Sequence, residues 1–174
     1  FTFSNTVSGQ GGIALSGAGV TTITGNNSYT GGTNINASNL VIGSQNALGS
    51  ANAVITSSGG SLAFGTGINL QSLTVNGAVS LATNVATVGA QTYNGDVTIA
   101  GGAAVNGVVT PMVMSTNNAN IIFGGTLTSS ASALANKQSL TINAGSGNVT
   151  FGGRVGADVV GKTYGQVWNQ AAYM

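Results

Sequence analysis

The side chains that could carry acid–base chemistry are few and lie late in the chain. Asp96 and Asp158 are the two carboxylates, histidine and cysteine do not occur, and no charged residue precedes Asp96. A glycosidase mechanism with two carboxylates would have to use this pair. A turn residue after Gly95 and a solvated loop residue are the simpler interpretation. We therefore predict no catalytic residues and no enzymatic activity, and a β-helical polysaccharide-degrading enzyme ranks last among our hypotheses.

The remaining charged residues, Lys137, Arg154 and Lys162, are scattered, and the formal net charge is +1. Capture of nucleic acid needs clustered Lys and Arg, so nucleic acid is not an expected partner. A calcium-binding solenoid needs an aspartate in every glycine-rich repeat, and thiol and imidazole ligands are missing, so we predict neither a metal nor a cofactor. The apolar runs are far shorter than the roughly 20 residues of a membrane-spanning helix. We expect no membrane-spanning segment.

Any functional side chain must be positioned by short strands, because the chain is a succession of small apolar groups. Groups such as "GGIALSG", "NLVIG" and "NIIFGG" alternate apolar and polar residues, as half-buried strands do. The 29 glycines and the asparagines between the groups favour tight turns and disfavour helices. The sequence therefore predicts an all-β fold.

Recurring pieces favour a solenoid over a sandwich or barrel of short antiparallel strands. "SYTGGTNI" at 28–35 resembles "TYNGDVTI" at 92–99, "SLTVNG" at 72 resembles "SLTINAG" at 139, and "NIIFGG" at 120 resembles "NVTFGG" at 148. Repeats of this spacing are typical of solenoids, whose units bury their apolar faces by stacking. We predict a parallel β-solenoid (β-helix) of either hand, with about eight coils of roughly 22 residues that form a rod near 40 Å long.

The solenoid model assigns roles to the large side chains. Alternation predicts the core candidates Phe64, Phe123, Phe151, Ile35 and Ile42. We expect the rings of Tyr29 and Tyr93 to close the end of the core, with their hydroxyls directed outward. Residues 1–156 form the predicted repeats, and 157–174 form an atypical segment that caps the rod or joins copies. The candidate assembly contact consists of Phe1, Phe3, Tyr164, Trp168 and Tyr173.

The segment from 17 to 43 resembles the autotransporter-associated β-strand repeat of passenger domains in Gram-negative surface proteins. The resemblance rests on the order of Asn, Tyr, Gly-Gly-Thr and Ile-Asn within "GNNSYTGGTNIN", and it departs from the family at Ser38, where glycine is usual. "QTYNGDVTIAGG" at 91 and "QSLTINAGSGNVTFGG" at 138 resemble the looser repeats of exported haemagglutinin-like adhesins. The resemblance implies an exported parallel β-helix that acts as an adhesin, biofilm component or stalk, and it implies no catalytic residue.

These observations lead to an expected function and a first alternative. The chain is expected to be a non-enzymatic segment of a bacterial surface protein, adhesive or scaffolding, at the cell surface of a Gram-negative bacterium or outside it. The alternative is a self-assembling subunit of an extracellular fibre or sheath. Expected partners are other copies of the chain, further repeats of a longer chain, and a host or cell-surface ligand. "FTFSNTVSGQ" lacks an initiator methionine, so we expect a mature product or an internal piece.

Overall fold

The structure is a computed structural model that describes residues 1–49, 52–101, 104–105, 108–130, 138–156 and 168–169. Within these ranges every regular element is a β-strand and no helix occurs. In chain order the strands are β1 Thr2–Phe3, β2 Ser8–Gly9, β3 Ile13–Ser16, β4 Val20–Ile23, β5 Ser28–Tyr29, β6 Thr33–Asn36, β7 Asn39–Ile42, β8 Asn52–Ser58, β9 Gly60–Phe64, β10 Ser72–Asn76, β11 Val79–Leu81, β12 Val85–Thr87, β13 Gln91–Tyr93, β14 Val97–Ile99, β15 Ala104–Val105, β16 Val108–Val109, β17 Met112–Thr116, β18 Ile121–Phe123, β19 Leu127–Ser129, β20 Leu140–Asn143, β21 Val149–Phe151 and β22 Trp168–Asn169.

Two parallel sheets, which we call wall 1 and wall 2, run the length of the described structure. Wall 1 has the strand order β1-β4-β7-β9-β11-β14-β19, and wall 2 has the order β3-β6-β8-β10-β13-β18-β21. Neighbours within a wall come from successive passes of the chain, and every pairing in both walls is parallel. Stacking of this kind makes each pass one coil of a solenoid. The prediction of an all-β parallel solenoid is confirmed.

The coils change in length along the chain, which the expected repeat of roughly 22 residues did not anticipate. Ile13 pairs with Thr33 and Leu73 with Gln91, so early coils contain about 18 to 20 residues. Gln91 pairs with Ile121, which is 30 residues later. The longer coils include an additional parallel sheet, wall 3, with the order β12-β17-β20-β22. The antiparallel hairpin β15–β16 is also inserted in the first of these long coils.

The sequence recurrences mark coils only in part. "NIIFGG" and "NVTFGG" lie on neighbouring strands of wall 2, where Phe123 pairs with Phe151. "SLTVNG", by contrast, forms β10 in wall 2, whereas "SLTINAG" forms β20 in wall 3. Ile35 of the first piece lies in wall 2, and its counterpart Ile99 lies in wall 1. Similar pieces therefore encode similar strands and turns rather than one fixed position in the coil.

The core consists of the inward rows of the walls, with Ile, Leu, Val and aromatic side chains in register from coil to coil. In wall 1, Ile23, Ile42 and Phe64 pair in succession and are all buried. Ile35 is fully buried on wall 2. Alternation of buried and exposed positions is clearest in β8, where every second residue from Asn52 is exposed. The period of two that defines a half-buried strand therefore also defines the core.

Glycines occupy a corner where the backbones of successive coils meet. Gly77, Gly95, Gly125 and Gly153 lie one above another, and a Cβ atom on Gly95, Gly125 or Gly153 would overlap the backbone of the glycine one coil earlier. A side chain cannot fit between backbones at this separation. The close approach of the coils, more than turn conformation alone, accounts for glycine at this corner.

Candidate functional site

The charged residues do not form a catalytic centre in the described part of the chain. Asp96 is exposed, and its Oδ1 accepts a hydrogen bond of 2.8 Å from the backbone N–H of Thr126 in the next coil. Hydrogen bonds from the backbone and side chain of Thr126 hold the pKa of Asp96 below its ordinary value. Asp158 lies outside the described residues. No group of three or more His, Cys, Asp or Glu suited to a metal occurs among the residues that the structure covers. Asp96 therefore has a structural role in joining two coils.

An aromatic ladder stands inside wall 2. Phe123 is fully buried between Tyr93 and Phe151, with centroid distances of 5.3 Å to each ring and interplanar angles of 10° and 5°. Phe151 differs from the expectation of a core position, because 37% of its side chain is exposed. It occupies the last rung of wall 2 and is stacked on one side only. The ring therefore ends the ladder and is not enclosed by it.

The prediction of outward tyrosine hydroxyls is wrong. Tyr93 is fully buried, and its hydroxyl donates to Oε1 of the buried Gln91 at 3.1 Å. The Gln91 amide in turn donates to the backbone oxygen of Ser115 at 2.8 Å. The Tyr29 hydroxyl is likewise buried, 2.6 Å from Oγ1 of Thr33. Burial raises the pKa of both tyrosines, so neither titrates near neutral pH. Gln91, two residues before Tyr93 and on the same face, was the sequence signal for this network, which sequence reasoning missed.

The candidate assembly residues are described only in part. Phe1 is 83% exposed and Phe3 is 39% exposed, with their ring centroids 5.9 Å apart. Phe3 pairs with Ile23, so it continues an inward row of wall 1 at its outer rung. The backbone of Trp168 pairs with Thr141 of wall 3. Tyr164 and Tyr173 lie outside the described residues. The structure therefore does not bring the two halves of the candidate contact together.

Rows of neutral polar side chains cover the outer faces of the walls. Asn39 accepts a hydrogen bond from Ser61 at 2.5 Å on wall 1, and Asn94 donates to Asn76 at 2.8 Å along wall 2. These bonds join one coil to the next. The Thr-x-Thr triplets at 22–24 and 126–128 both touch wall 1, but their central residues belong to different rows, because Ile23 is aligned with Phe64 and Leu127 with Gly60. A threonine array of the ice-binding type is therefore not formed by these triplets.

A shallow groove of about 350 Å³, which we call the glycine notch, interrupts the outer face of wall 2. Gly31 and Gly32 form its floor, and the exposed side chains of Asn34, Val54 and Thr56 stand around it. The full lining is Gly12, Ile13, Ala14, Gly31, Gly32, Thr33, Asn34, Val54 and Thr56. None of these residues is charged or aromatic. The notch is concave and open to solvent, and it therefore has the form of a ligand site.

Comparison with known proteins adds one relative. Over 105 residues, which are 60% of this chain, the sequence is 36% identical to a protein named adhesin BmaC autotransporter from Brucella suis biovar 1 (strain 1330). The matched region spans 2% of the length of that protein. No family model matches the chain, and no solved structure matches it. The chain is thus similar to a small part of a very long autotransporter adhesin.

The search for membrane-crossing helices gave a negative result for the part of the chain that the structure covers. None of the described residues belongs to a helix with the length and apolar character needed to cross a bilayer.

Proposed function

We propose that this chain is a non-enzymatic β-solenoid segment of an exported bacterial surface protein, located at or outside the surface of a Gram-negative cell, where its outer walls adhere to a partner or serve as a scaffold. The observation that carries the proposal is the 36% identity with a protein named an autotransporter adhesin, combined with parallel coils of the kind such passengers are expected to form. The uncharged outer walls support contact through shape and neutral polar groups.

Adhesion can be tested with the purified chain coupled to polystyrene beads. Beads that carry the folded chain should remain on a monolayer of cultured epithelial cells under flow in larger numbers than albumin-coated beads. Beads that carry the same chain after heat denaturation are the matched control. Retention equal to that of albumin beads would refute the adhesive form of the proposal.

The absence of enzymatic activity has its own test. With two carboxylates in 174 residues, the chain offers little for general acid–base catalysis. Incubation with a panel of neutral and anionic polysaccharides should release no new reducing ends or unsaturated ends. Cleavage that disappears in Asp96→Asn and in Asp158→Asn would overturn this part of the proposal.

Self-assembly into a fibre or sheath is the second candidate, and it is favoured by the exposed aromatic pair of the first rung. Phe1 and Phe3 extend the inward side of wall 1, where another copy or a further coil can cover them. The strand β1 also bears no charged side chain that would oppose strand pairing. Thr2→Lys combined with Ser4→Lys should shift the sedimentation profile toward monomer while the circular dichroism spectrum stays the same. A parent chain that is monomeric at high concentration would reject this candidate.

A further inference from the structure

We propose that the glycine notch binds one or two rings of a neutral saccharide. This inference rests on the proposed adhesive function and assigns it a place on the chain and a class of ligand. Three features of the notch support it, namely its origin in the coil register, its unpaired polar groups and its neutrality.

The notch originates in a change of register between coils. Thr33 of β6 pairs with Ile55 of β8, although β8 begins at Asn52. The first three residues of β8 therefore extend past the start of β6 and face the glycine bend at 31–32. Gly31 packs against the backbone of the preceding coil too closely to accept a Cβ atom. The outer row that carries Val54 and Thr74 on later coils thus has no side chains on this part of the wall.

The polar groups at the notch are free to bind a ligand. Asparagines elsewhere on the walls are engaged, as Asn39 is with Ser61 and Asn76 is with Asn94. In the described structure, by contrast, the side chains of Asn34 and Thr56 have no hydrogen-bond partner, and both are exposed. An amide and a hydroxyl can each donate and accept, as recognition of vicinal hydroxyl groups requires.

The lining selects against charged ligands. No charged residue occurs before Asp96, so an anion or cation placed in the notch would lose hydration without a compensating partner. The aliphatic surfaces of Ile13, Ala14 and Val54 suit the C–H face of a pyranose ring. A volume of about 350 Å³ lies at the lower end of the range for small-molecule sites, which limits the ligand to one or two rings.

Binding can be measured by titrating the 15N-labelled chain with lactose, maltotriose or chitotriose and recording amide shifts. At least one of these neutral sugars should shift the amides of Gly31, Gly32 and Asn34 in a saturable manner, and 3′-sialyllactose should bind no more tightly than lactose. Asn34→Ala and Thr56→Val should each weaken binding about fivefold, as loss of one hydrogen bond predicts. Asn36→Ala is the control, because Asn36 is exposed on the same strand but does not line the notch.

The outcomes separate this inference from the proposed function. Bead adhesion that persists while none of the neutral sugars shifts the notch amides would overturn the inference and leave adhesion standing. Equal affinity in the parent chain and in both notch variants would also overturn it, since binding would then occur elsewhere. Tighter binding of the sialylated sugar would contradict the selection against charge. Saturable binding that is weakened by Asn34→Ala and unchanged by Asn36→Ala would support it, even if the beads failed to adhere.

Discussion

Truncation of Phe123 is the most direct perturbation of the aromatic ladder. The ring is fully buried and is stacked on both faces, so Phe123→Ala removes two ring contacts and leaves a cavity between coils. Large-to-small changes of this kind cost about 3–5 kcal/mol of unfolding free energy. Because each stacked aromatic pair adds about 0.5–1.5 kcal/mol beyond its buried area, we expect a value toward the upper end of that range.

Phe151→Ala is the matched comparison, since the same change is made one coil later. Phe151 keeps 37% of its surface exposed and has one stacked neighbour. The part of the ring that is buried is worth about 1–2 kcal/mol, given about 1.5–3 kcal/mol for full burial of a large apolar side chain. The expected cost is therefore less than half of that for Phe123, whereas the sequence alone assigned Phe151 the full cost of a core residue.

Hydrogen exchange of single amides can resolve the two variants, because solenoids open locally and need not unfold in one step. The amide of Gly124 donates to the oxygen of Tyr93, and the amide of Gly152 donates to the oxygen of Phe123, both at 2.7 Å. Phe123→Ala should accelerate exchange at both amides by orders of magnitude. Phe151→Ala should affect mainly Gly152. If Phe151→Ala destabilises the chain as much as Phe123→Ala, the assignment of an open ladder end is wrong.

Three further predictions concern the corner glycines, the buried amide and the carboxylate between coils. Gly95→Ala should lower the melting temperature strongly, because the added carbon would overlap the backbone of the coil below, whereas Gly19→Ala, where the space is open, should leave it nearly unchanged; equal effects would contradict the packing argument. Gln91→Leu should cost about 1–3 kcal/mol in urea denaturation by leaving a buried tyrosine hydroxyl and a backbone oxygen unpaired, and a neutral result would show that water replaces the amide. Asp96 has a lowered pKa in the folded state, so its contribution is present above the pKa of the unfolded chain and is lost as the pH falls through the folded value. The melting temperature should therefore decline only in acid, and Asp96→Asn, which keeps an acceptor for Thr126, should flatten that decline; an unchanged acid limb would assign it to another group.

Strand character and core positions could be predicted from the sequence because both depend on local alternation. Ile35, Ile42, Phe64 and Phe123 are buried, as a period of two requires for the inward side of a strand. The same pattern could not show that Phe151 is stacked on one side only, because exposure at a rung depends on whether a neighbouring coil covers it. Alternation indicates the face of a strand and not its neighbours along the rod.

Coil length and wall assignment could not be predicted, because glycine and asparagine mark every corner alike. The recurrence of "SLTVNG" and "SLTINAG" indicated one repeating position, yet these segments lie in walls 2 and 3. Ser38, the departure from the resembled repeat, is buried, and its hydroxyl donates to the backbone oxygen of Gly17 at 2.8 Å. A contact between residues 21 positions apart carries no local sequence signal. The glycine notch was missed for the same reason, since it depends on the register of two coils.

The direction of the coil-to-coil hydrogen bonds determines how the chain responds to tension. These bonds lie along the rod, so a force applied to the two ends pulls coils apart one at a time instead of shearing a whole wall at once. Each released coil lengthens the chain in proportion to its residues, at about 3.3–3.6 Å per residue. Coils of 18 to 22 residues yield steps of about 60–80 Å, and those of 28 to 30 residues yield about 90–110 Å. A cell tethered through such a segment would therefore gain compliance in small increments, with the three-walled coils providing the longest extensions.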